Sequence, residues 1–523
     1  MVVRPPETRT STGDIDHLAA LRNDIEAAFT ARDLPRTIDL LERHTLEAWF
    51  AFDPDRLVYI LRAALRWGPS ADSHLHLVAI LIPSAGHTRL PESARAMIAP
   101  EMMSTKSRLI ARLAPMLSRR YDGHPVHALR AYDEHHARTD LPVQPLFDAL
   151  GGWPLFAATQ RGVTALLAGD FREALRSFGE AEAQPFLPTL GVLQGSVYSR
   201  LALTHAAYGD PVQAACYLKK FASTPRTSSW AEASFDAVAR CARIIIDAGV
   251  SPNAAEALEK LNIRDLGELW PFYLIALQRV HSCPPGNDTF EQAVLRYSHI
   301  PFPHHDGEGL SGSVFPLMQA IIAVQKGRVE ESWRALHRAD TSLPLITTAE
   351  AILHSRTGAP HLALSLATGA AASVQGLRRM EILRLAAASD AFLRIDQMDD
   401  VRKCCEQAMH IAGELHPTEA CLFSAEVNAF ADGVVPGWPP DAPTLFSSKR
   451  GDKVRRPRAL SDEELAVVRA LAAGTPLLSV AEKLFLPLYE LEQRQVSLRA
   501  GLGLHGSASD AAAVLEADRR GLL

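Results

Sequence analysis

The segment GDFREALRSFGEA, residues 169–181, contains a spacing that the chain uses repeatedly. Gly169 opens a turn, the small residue Ala174 follows five positions later, and Phe178 and Ala181 follow four and seven positions after that. Apolar residues three and four positions apart lie on one face of an α-helix. The segment therefore predicts a turn followed by an amphipathic helix.

The same spacing returns along much of the chain. The further copies, each written as a turn residue and its three spaced residues, are Gly209/Ala214/Leu218/Phe221, Gly249/Ala254/Leu258/Leu261, Gly327/Ser332/Leu336/Ala339, Gly358/Ala363/Ala367/Ala370 and Asp396/Val401/Cys405/Ala408. Weaker copies are Asp288/Ala293/Tyr297 and, near the N-terminus, Asp33/Thr37/Leu41. Successive turns are mostly about 40 residues apart, which is the length of two helices and their connections.

This period is typical of solenoids that are built from helical hairpins. A small residue where two helices cross lets them approach closely, and the larger apolar residues then pack against the next hairpin. The spacing resembles that of tetratricopeptide repeats, whose period is about 34 residues, although most units here are longer. The scarcity of β-branched and aromatic residues also favours helix over sheet.

A change of composition after the repeats predicts a domain boundary. Residues 433–458 read GVVPGWPPDAPTLFSSKRGDKVRRPR, in which the prolines forbid a continuous helix. The segment ends in a basic run, interrupted by Asp452, that consists of Lys449, Arg450, Lys453, Arg455, Arg456 and Arg458. Such a run is either a solvated spacer or an arm that contacts phosphates.

Four short helices are predicted after this basic run. Ser461 and Glu464 form a capping box at the start of the first helix, and Gly474 ends it. The second helix is expected near residues 479–485, the third after Leu486 and Pro487, and the fourth at about residues 509–520. The expected inward residues are Leu465, Val468, Leu471 and Ala472 in the first helix and Leu488, Leu491, Val496 and Leu498 in the third. Two short helices joined by a tight turn are typical of a helix-turn-helix.

Residues 460–523 resemble the DNA-binding domain of LuxR-type regulators without a gap. The residues that carry the resemblance are Leu460, Ser461, Glu464, Val467, Val468, Ala472, Gly474, Val480, Ala481, Leu484, Leu502, Gly503, Leu504, Asp510, Ala511, Gly521, Leu522 and Leu523. The resemblance implies a four-helix domain whose third helix, the recognition helix, enters the major groove of DNA. It further implies that the protein is a transcriptional regulator.

The surface that would face DNA departs from the family pattern. Pro476, Leu477, Leu478 and Ser479 replace the usual polar residues, and Glu490 and Glu492 place two carboxylates on the recognition helix. The chain after Arg458 carries six basic and nine acidic residues. Arg and Gln side chains suit base edges, and the expected DNA contacts on or near this helix are Tyr489, Gln493, Arg494, Gln495 and Arg499.

Two interpretations of this conflict are open. In the first, the basic run at residues 449–458 supplies the phosphate contacts, dimerisation doubles them, and Arg494 with the neighbouring glutamines reads the groove. In the second, the domain keeps its fold but serves as a protein-docking or dimerisation module that no longer binds DNA. With a formal net charge of −6, the whole chain would not be drawn to nucleic acid, so any binding must be local.

The sequence predicts neither an enzyme nor a cofactor or metal protein. The chain lacks the P-loop, nucleophile-elbow and HExxH motifs. His304, His305 and Asp306, like residues 134–136 (Glu-His-His), are expected on a solvated surface, and Cys404 and Cys405 in the core. The N-terminus lacks the apolar core of a secretory signal, and no apolar run reaches the roughly 18 residues of a membrane span, so we expect a cytoplasmic protein.

We therefore predict an all-α protein in which a tetratricopeptide-like array precedes a four-helix LuxR-type domain. The predicted boundaries are a disordered N-terminus at 1–13, a helical extension of the array at 14–155, the repeats at 156–433, a Pro-rich and then basic linker at 434–458, and the helix-turn-helix domain at 459–523. The expected partners are double-stranded DNA, a protein or small-molecule effector bound by the array, and a second copy of the chain, with no membrane association.

Overall fold

The structure is a computed structural model. It describes residues 16–67, 75, 105–137, 152–185, 187–281, 288–440, 444, 460–483, 486–502, 504, 509–520 and 522–523. All regular secondary structure in these ranges is helical, which confirms the predicted all-α class. The predicted disordered N-terminus, residues 1–13, lies outside the described residues.

The helices are numbered here in chain order. The first group is α1 (His17–Thr30), α2 (Leu34–Arg43), α3 (Thr45–Ala51), α4 (Pro54–Arg66), α5 (Thr105–Tyr121), α6 (Pro125–Ala137), α7 (Trp153–Ala168), α8 (Phe171–Glu182) and α9 (Gly191–Tyr208). The second is α10 (Pro211–Ala222), α11 (Glu232–Asp247), α12 (Ala254–Glu259), α13 (Pro271–His281), α14 (Asp288–Ser298), α15 (Gly309–Gln325), α16 (Val329–Leu336), α17 (Pro344–Arg356) and α18 (Pro360–Gly369).

The remaining helices of the described residues lie in the C-terminal third of the chain. They are α19 (Ala371–Val374), α20 (Arg378–Arg394), α21 (Met398–Ala412), α22 (Pro417–Ala420), α23 (Ala425–Val434), α24 (Asp462–Ala472), α25 (Leu477–Lys483), α26 (Leu488–Gly501) and α27 (Asp510–Arg519). Two 3-10 segments, Pro188–Leu190 and Ile263–Leu269, connect helices in the middle of the chain. No described helix has both the length and the apolar character needed to cross a membrane.

Helices that follow one another pack together, and the turns between them lie where the spacing predicts. Extensive contacts join α5 to α6, α7 to α8, α9 to α10, α15 to α16, α17 to α18 and α20 to α21. Gly169 ends α7 with φ of 84°, a left-handed conformation that favours glycine. Asp396 occupies the equivalent turn after α20 with φ of 62°, which a non-glycine residue rarely adopts.

The spaced residues face the core. In the six stronger copies the small or apolar residues that follow the predicted turn are buried, namely Ala174, Ala214, Ala254, Ser332, Ala363 and Val401, whereas Ala293 of the weaker copy is only partly buried. The next spaced residues, Phe178, Leu218, Leu258, Leu336, Ala367 and Cys405, are buried as well. The predicted amphipathic pattern is therefore correct at these positions.

Two predicted domain boundaries do not coincide with the limits of the hydrophobic cores. One continuous core contains buried residues from Leu18 to Met380, and α7 runs across the predicted boundary at residue 155. Beyond the predicted boundary at 433, Trp438 of the predicted linker packs in a second core against Phe423, with ring centroids 4.9 Å apart. The Trp438 indole N–H donates to Asn428 Oδ1 at 3.2 Å, so this core extends at least to Trp438.

Substitution of Gly162 on α7 tests whether α7 and α8 need a small residue where they approach each other. A Cβ at this position would lie 2.5 Å from Cε1 of Phe178, whose ring is fully buried. Gly162→Ala is therefore expected to lower the free energy of unfolding by about 1 to 3 kcal/mol, despite alanine's better helix propensity. Urea unfolding followed by circular dichroism measures the change.

Gly179 on α8 is the matched control for this substitution. A Cβ at Gly179 would meet nothing within 4 Å, so Gly179→Ala should stabilise the protein by up to about 1 kcal/mol through helix propensity alone. Equal effects of the two substitutions would show that α7 and α8 do not need a glycine at their contact.

Candidate nucleic-acid interface

The four C-terminal helices share a core of their own. Its buried residues are Val467, Val468, Val480, Ala481, Leu491, Leu498, Leu502, Leu504, Ala512, Ala513 and Ala517. The predicted capping box is present at the start of α24, where the Glu464 amide donates to Ser461 Oγ at 3.2 Å and the Ser461 amide donates to Glu464 Oε2 at 2.8 Å. Ser509 caps α27 by accepting from the amide of Ala512 at 3.1 Å. Within α24, Ala472 is exposed, so its predicted inward place was wrong.

Helix α26, the predicted recognition helix, has one buried and one exposed face. Its buried residues follow helical spacing and are Leu491, Gln495, Leu498 and, just past its end, Leu502. Its exposed residues include Tyr489, Glu492, Gln493 and Val496. Val496 was predicted to face the core but is 51% exposed, because the position four residues after Leu491 is taken by Gln495.

Two of the predicted DNA contacts turn inward instead. Gln495 is only 6% exposed, and its amide donates to Asp510 Oδ1 at 3.4 Å. Arg499 donates to the same oxygen at 2.6 Å and forms an ion pair with Asp510. Asp510 is the first residue of α27. Gln495 and Arg499 therefore connect α26 to α27, and their role as DNA contacts stays a prediction.

Arg494 lies between these two faces. Its guanidinium forms an ion pair with Glu463 in the first turn of α24, and its side chain is partly buried. The pair neutralises the cation that was expected to read the groove. Any contact of Arg494 with DNA would have to compete with the Glu463 carboxylate.

Tyr489 and Gln493 are the predicted contacts that the structure places on the exposed face. Glu492 is exposed beside them and Glu490 is half-buried. Within the described part of the chain, neither carboxylate forms an ion pair with a cation. The predicted contacts Lys449, Arg450, Lys453, Arg455, Arg456 and Arg458 lie outside the described residues.

The C-terminal helices also contact helices that precede them in the chain. Helix α27 packs against α18, and Ala359 and Leu362, at the start of α18, join the C-terminal core. This contact leaves Tyr489, Gln493 and Val496 exposed. The exposed face of α26 is therefore accessible in the structure.

Metal-ligating side chains meet at a place that the sequence did not indicate. His124, His127 and Glu308 have ligand atoms within 4.8 Å of one another. Burial alone would raise the pKa of Glu308, but hydrogen bonds from the two histidines hold this pKa below its ordinary value. The two histidines are three residues apart, yet Glu308 lies 184 residues from His124, and local spacing gives no signal over that distance.

The described side chains that the sequence singled out supply no ligand atom to this cluster. His305 and Asp306 are exposed, as predicted, and His304 is partly buried. Cys404 and Cys405 are buried, also as predicted. Burial raises the pKa of the Cys404 thiol to about 11 and that of Cys405 to about 12, which makes both unreactive near neutral pH.

Comparison with known proteins does not identify a family for this chain. No protein-family model matches the chain, and no curated protein is significantly similar to it.

Proposed function

We propose that the protein is a DNA-binding transcriptional regulator of the LuxR type, in which a tetratricopeptide-like array senses an effector and the C-terminal helix-turn-helix contacts double-stranded DNA. The observation that carries the proposal is the accessible face of α26, which follows a basic run of six cations within residues 449–458. A short helix, α25, precedes α26, as a helix-turn-helix requires. Tyr489 and Gln493 are then the residues available to the major groove.

The charge distribution supports different roles for the basic run and for the helices that follow it. Residues 459–523 carry nine acidic and six basic residues, whereas residues 449–458 carry six basic residues and one acidic residue. Together the two segments have a small net positive charge. Phosphate contacts supply most of the affinity and base contacts the specificity, so the basic run binds the backbone and α26 reads the groove.

A cavity in the array supports a small-molecule effector. Side chains of α13, α15, α17 and α20 line an apolar space, and Arg279 and Arg379 lie at its wall. Its volume of about 90 Å³ is smaller than a typical ligand site, so it fits only a very small effector. The effector in this proposal binds the array and changes how the C-terminal helices are presented.

A second candidate function is a docking or dimerisation module without DNA affinity. The observation that favours it is the exposed apolar pair Tyr489 and Val496 on α26, combined with the internal ion pairs of Arg494 and Arg499. Aromatic and apolar side chains are typical anchors of protein interfaces. In that case the exposed face would bind a protein surface.

Fluorescence polarisation separates the two functions. The full chain is titrated against a pooled library of labelled duplexes at about 50 mM and about 200 mM salt. A DNA-binding protein with several phosphate contacts should lose at least about tenfold in affinity over this range. Absence of binding at the lower salt concentration would contradict the proposal, and sedimentation of the chain would then test for dimers.

The acidic pair on α26 gives a sharper prediction. Replacing Glu490 and Glu492 by glutamine removes two negative charges from the face proposed to approach phosphates, so DNA affinity is expected to rise about tenfold. Glu330→Gln with Glu331→Gln on α16 removes the same charge from an exposed surface elsewhere and should leave affinity nearly unchanged. An unchanged affinity in the α26 variant would place this face away from DNA.

A further inference from the structure

His124, His127 and Glu308 converge at the start of two helices that are distant in the sequence. His124 immediately precedes α6, His127 lies in its first turn, and Glu308 immediately precedes α15. We propose that these three side chains bind a divalent transition-metal ion. The inference is independent of the proposed DNA-binding function.

The distances suit a shared ion. His124 Nδ1 lies 2.7 Å from Glu308 Oε2, and His127 Nδ1 lies 3.0 Å from Glu308 Oε1. Ligand atoms that bind one tetrahedral zinc ion at about 2.1 Å each lie about 3.4 Å apart, a few tenths of an ångström more than these separations. Small rotations of the two imidazoles would therefore place all three ligand atoms around one ion, which would replace the protons that now join them.

The carboxylate is already fixed in position. Glu308 is buried, and its Oε1 accepts hydrogen bonds from the backbone amides of Val126 at 3.0 Å and His127 at 3.1 Å. These bonds hold the carboxylate at the start of α6 and leave Oε2 directed at His124. A ligand that is held in place before the ion arrives loses little freedom on binding.

The imidazoles remain open to solvent. The His124 and His127 side chains are 37% and 61% exposed, so an ion has a path to the site. The ring of His305 packs over that of His124, with centroids 4.7 Å apart, and limits its rotation. The site thus combines a rigid, buried carboxylate with accessible nitrogen ligands.

The ligand set selects the class of ion. Two imidazoles and one carboxylate suit zinc, cobalt, nickel or ferrous iron, whereas magnesium and calcium prefer oxygen ligands alone. Three protein ligands leave a coordination position for water or for a donor from another molecule. The bound ion would also link α6 to α15 and so stabilise the array.

The competing explanation is that Glu308 serves only to cap α6. Capping requires the carboxylate and the two backbone amides, and it does not require the imidazoles. The double variant His124→Ala/His127→Ala keeps the cap and removes two ligands, so it separates the two roles. The matched control is His299→Ala/His410→Ala, which removes two exposed imidazoles elsewhere. His299 follows the last residue of α14, and His410 lies on α21.

Isothermal titration of the chelator-treated full chain with Zn²⁺ and Co²⁺ tests the site, with Mg²⁺ as the comparison ion. The wild type and the control variant should bind one Zn²⁺ tightly and show an unfolding midpoint raised by a few degrees. His124→Ala/His127→Ala should bind at that site at least about 100-fold more weakly and lose the rise in midpoint. Equal zinc binding by wild type and this variant, or an equal response to Mg²⁺, would overturn the proposal.

Discussion

Reversing Arg455 and Arg456 to glutamate is expected to weaken binding of duplex DNA by about 100-fold or more at about 0.1 M salt. The two arginines lie in the middle of the basic run at residues 449–458, which immediately precedes the four C-terminal helices. Those helices carry more acidic than basic residues. Since their net negative charge opposes the approach of DNA, the proposed binding would depend on the basic run.

Salt dependence identifies the cause of this loss. Each phosphate that a cation neutralises releases condensed counterions, so the logarithm of the affinity falls linearly with the logarithm of the salt concentration. Removing two phosphate contacts should lower the magnitude of this slope by about 2. A loss of affinity without a change of slope would mean that the substitutions disturb the fold.

A second charge reversal provides the control. Arg402 and Lys403 are adjacent and exposed on α21, and their replacement by glutamate changes the net charge by the same amount. This variant should bind DNA nearly as well as the wild type. If both variants weaken binding equally, the effect comes from the overall charge, and the basic run is not a DNA-contacting arm.

Local spacing predicted which helical side chains face the core. Ala174, Ala214 and Ala363 were placed in the core from their distance to a preceding turn, and all three are fully buried. The prediction succeeds because the helical period decides which residues share a face. The capping box of Ser461 and Glu464 was also confirmed, since such a cap depends on residues within one turn.

The errors arose where distant residues decide the arrangement. Hydrophobicity favoured Val496 as an inward residue, but Asp510 at the start of α27 supplies a partner that lets Gln495 be buried instead. Trp438 was assigned to a linker because prolines surround it, yet Asn428 and Phe423 hold it in the core. Neither partner is visible in the local pattern around these residues.

Replacing Arg120 by methionine is expected to lower the free energy of unfolding by about 2 to 4 kcal/mol, because it removes a buried cation and its hydrogen bonds, although the partner carboxylate of Glu268 is one-third exposed. The Arg120 side chain on α5 is 1% exposed. Its Nε donates to Glu268 Oε1 at 2.8 Å and its Nη2 donates to Glu268 Oε2 at 3.1 Å. Arg120 also donates to the Gln160 carbonyl at 2.9 Å and to Thr164 Oγ1 at 3.0 Å, both on α7.

This arginine joins three helical segments of the protein, so its loss removes several hydrogen bonds at once. Burial alone would lower the pKa of Arg120, but the Glu268 carboxylate raises it above its ordinary value, and the cation stays charged. Methionine fills a similar volume but donates no hydrogen bond. Glu268, Gln160 and Thr164 would then lose hydrogen bonds that partly compensate their removal from water.

A double-mutant cycle measures the interaction itself. Glu268→Gln leaves the buried cation without its carboxylate and should also destabilise the protein, whereas Arg120→Met/Glu268→Gln should cost less than the two single changes added together.

Arg43→Met on α2 is the control, because Arg43 and its partner Asp39 are exposed and an exposed pair contributes about 1 kcal/mol or less. Urea unfolding followed by circular dichroism measures all four variants. Additive effects of the two single changes would show that Arg120 and Glu268 are not coupled. A loss of stability at Arg43 equal to that at Arg120 would show that burial of the arginine does not set the size of the loss.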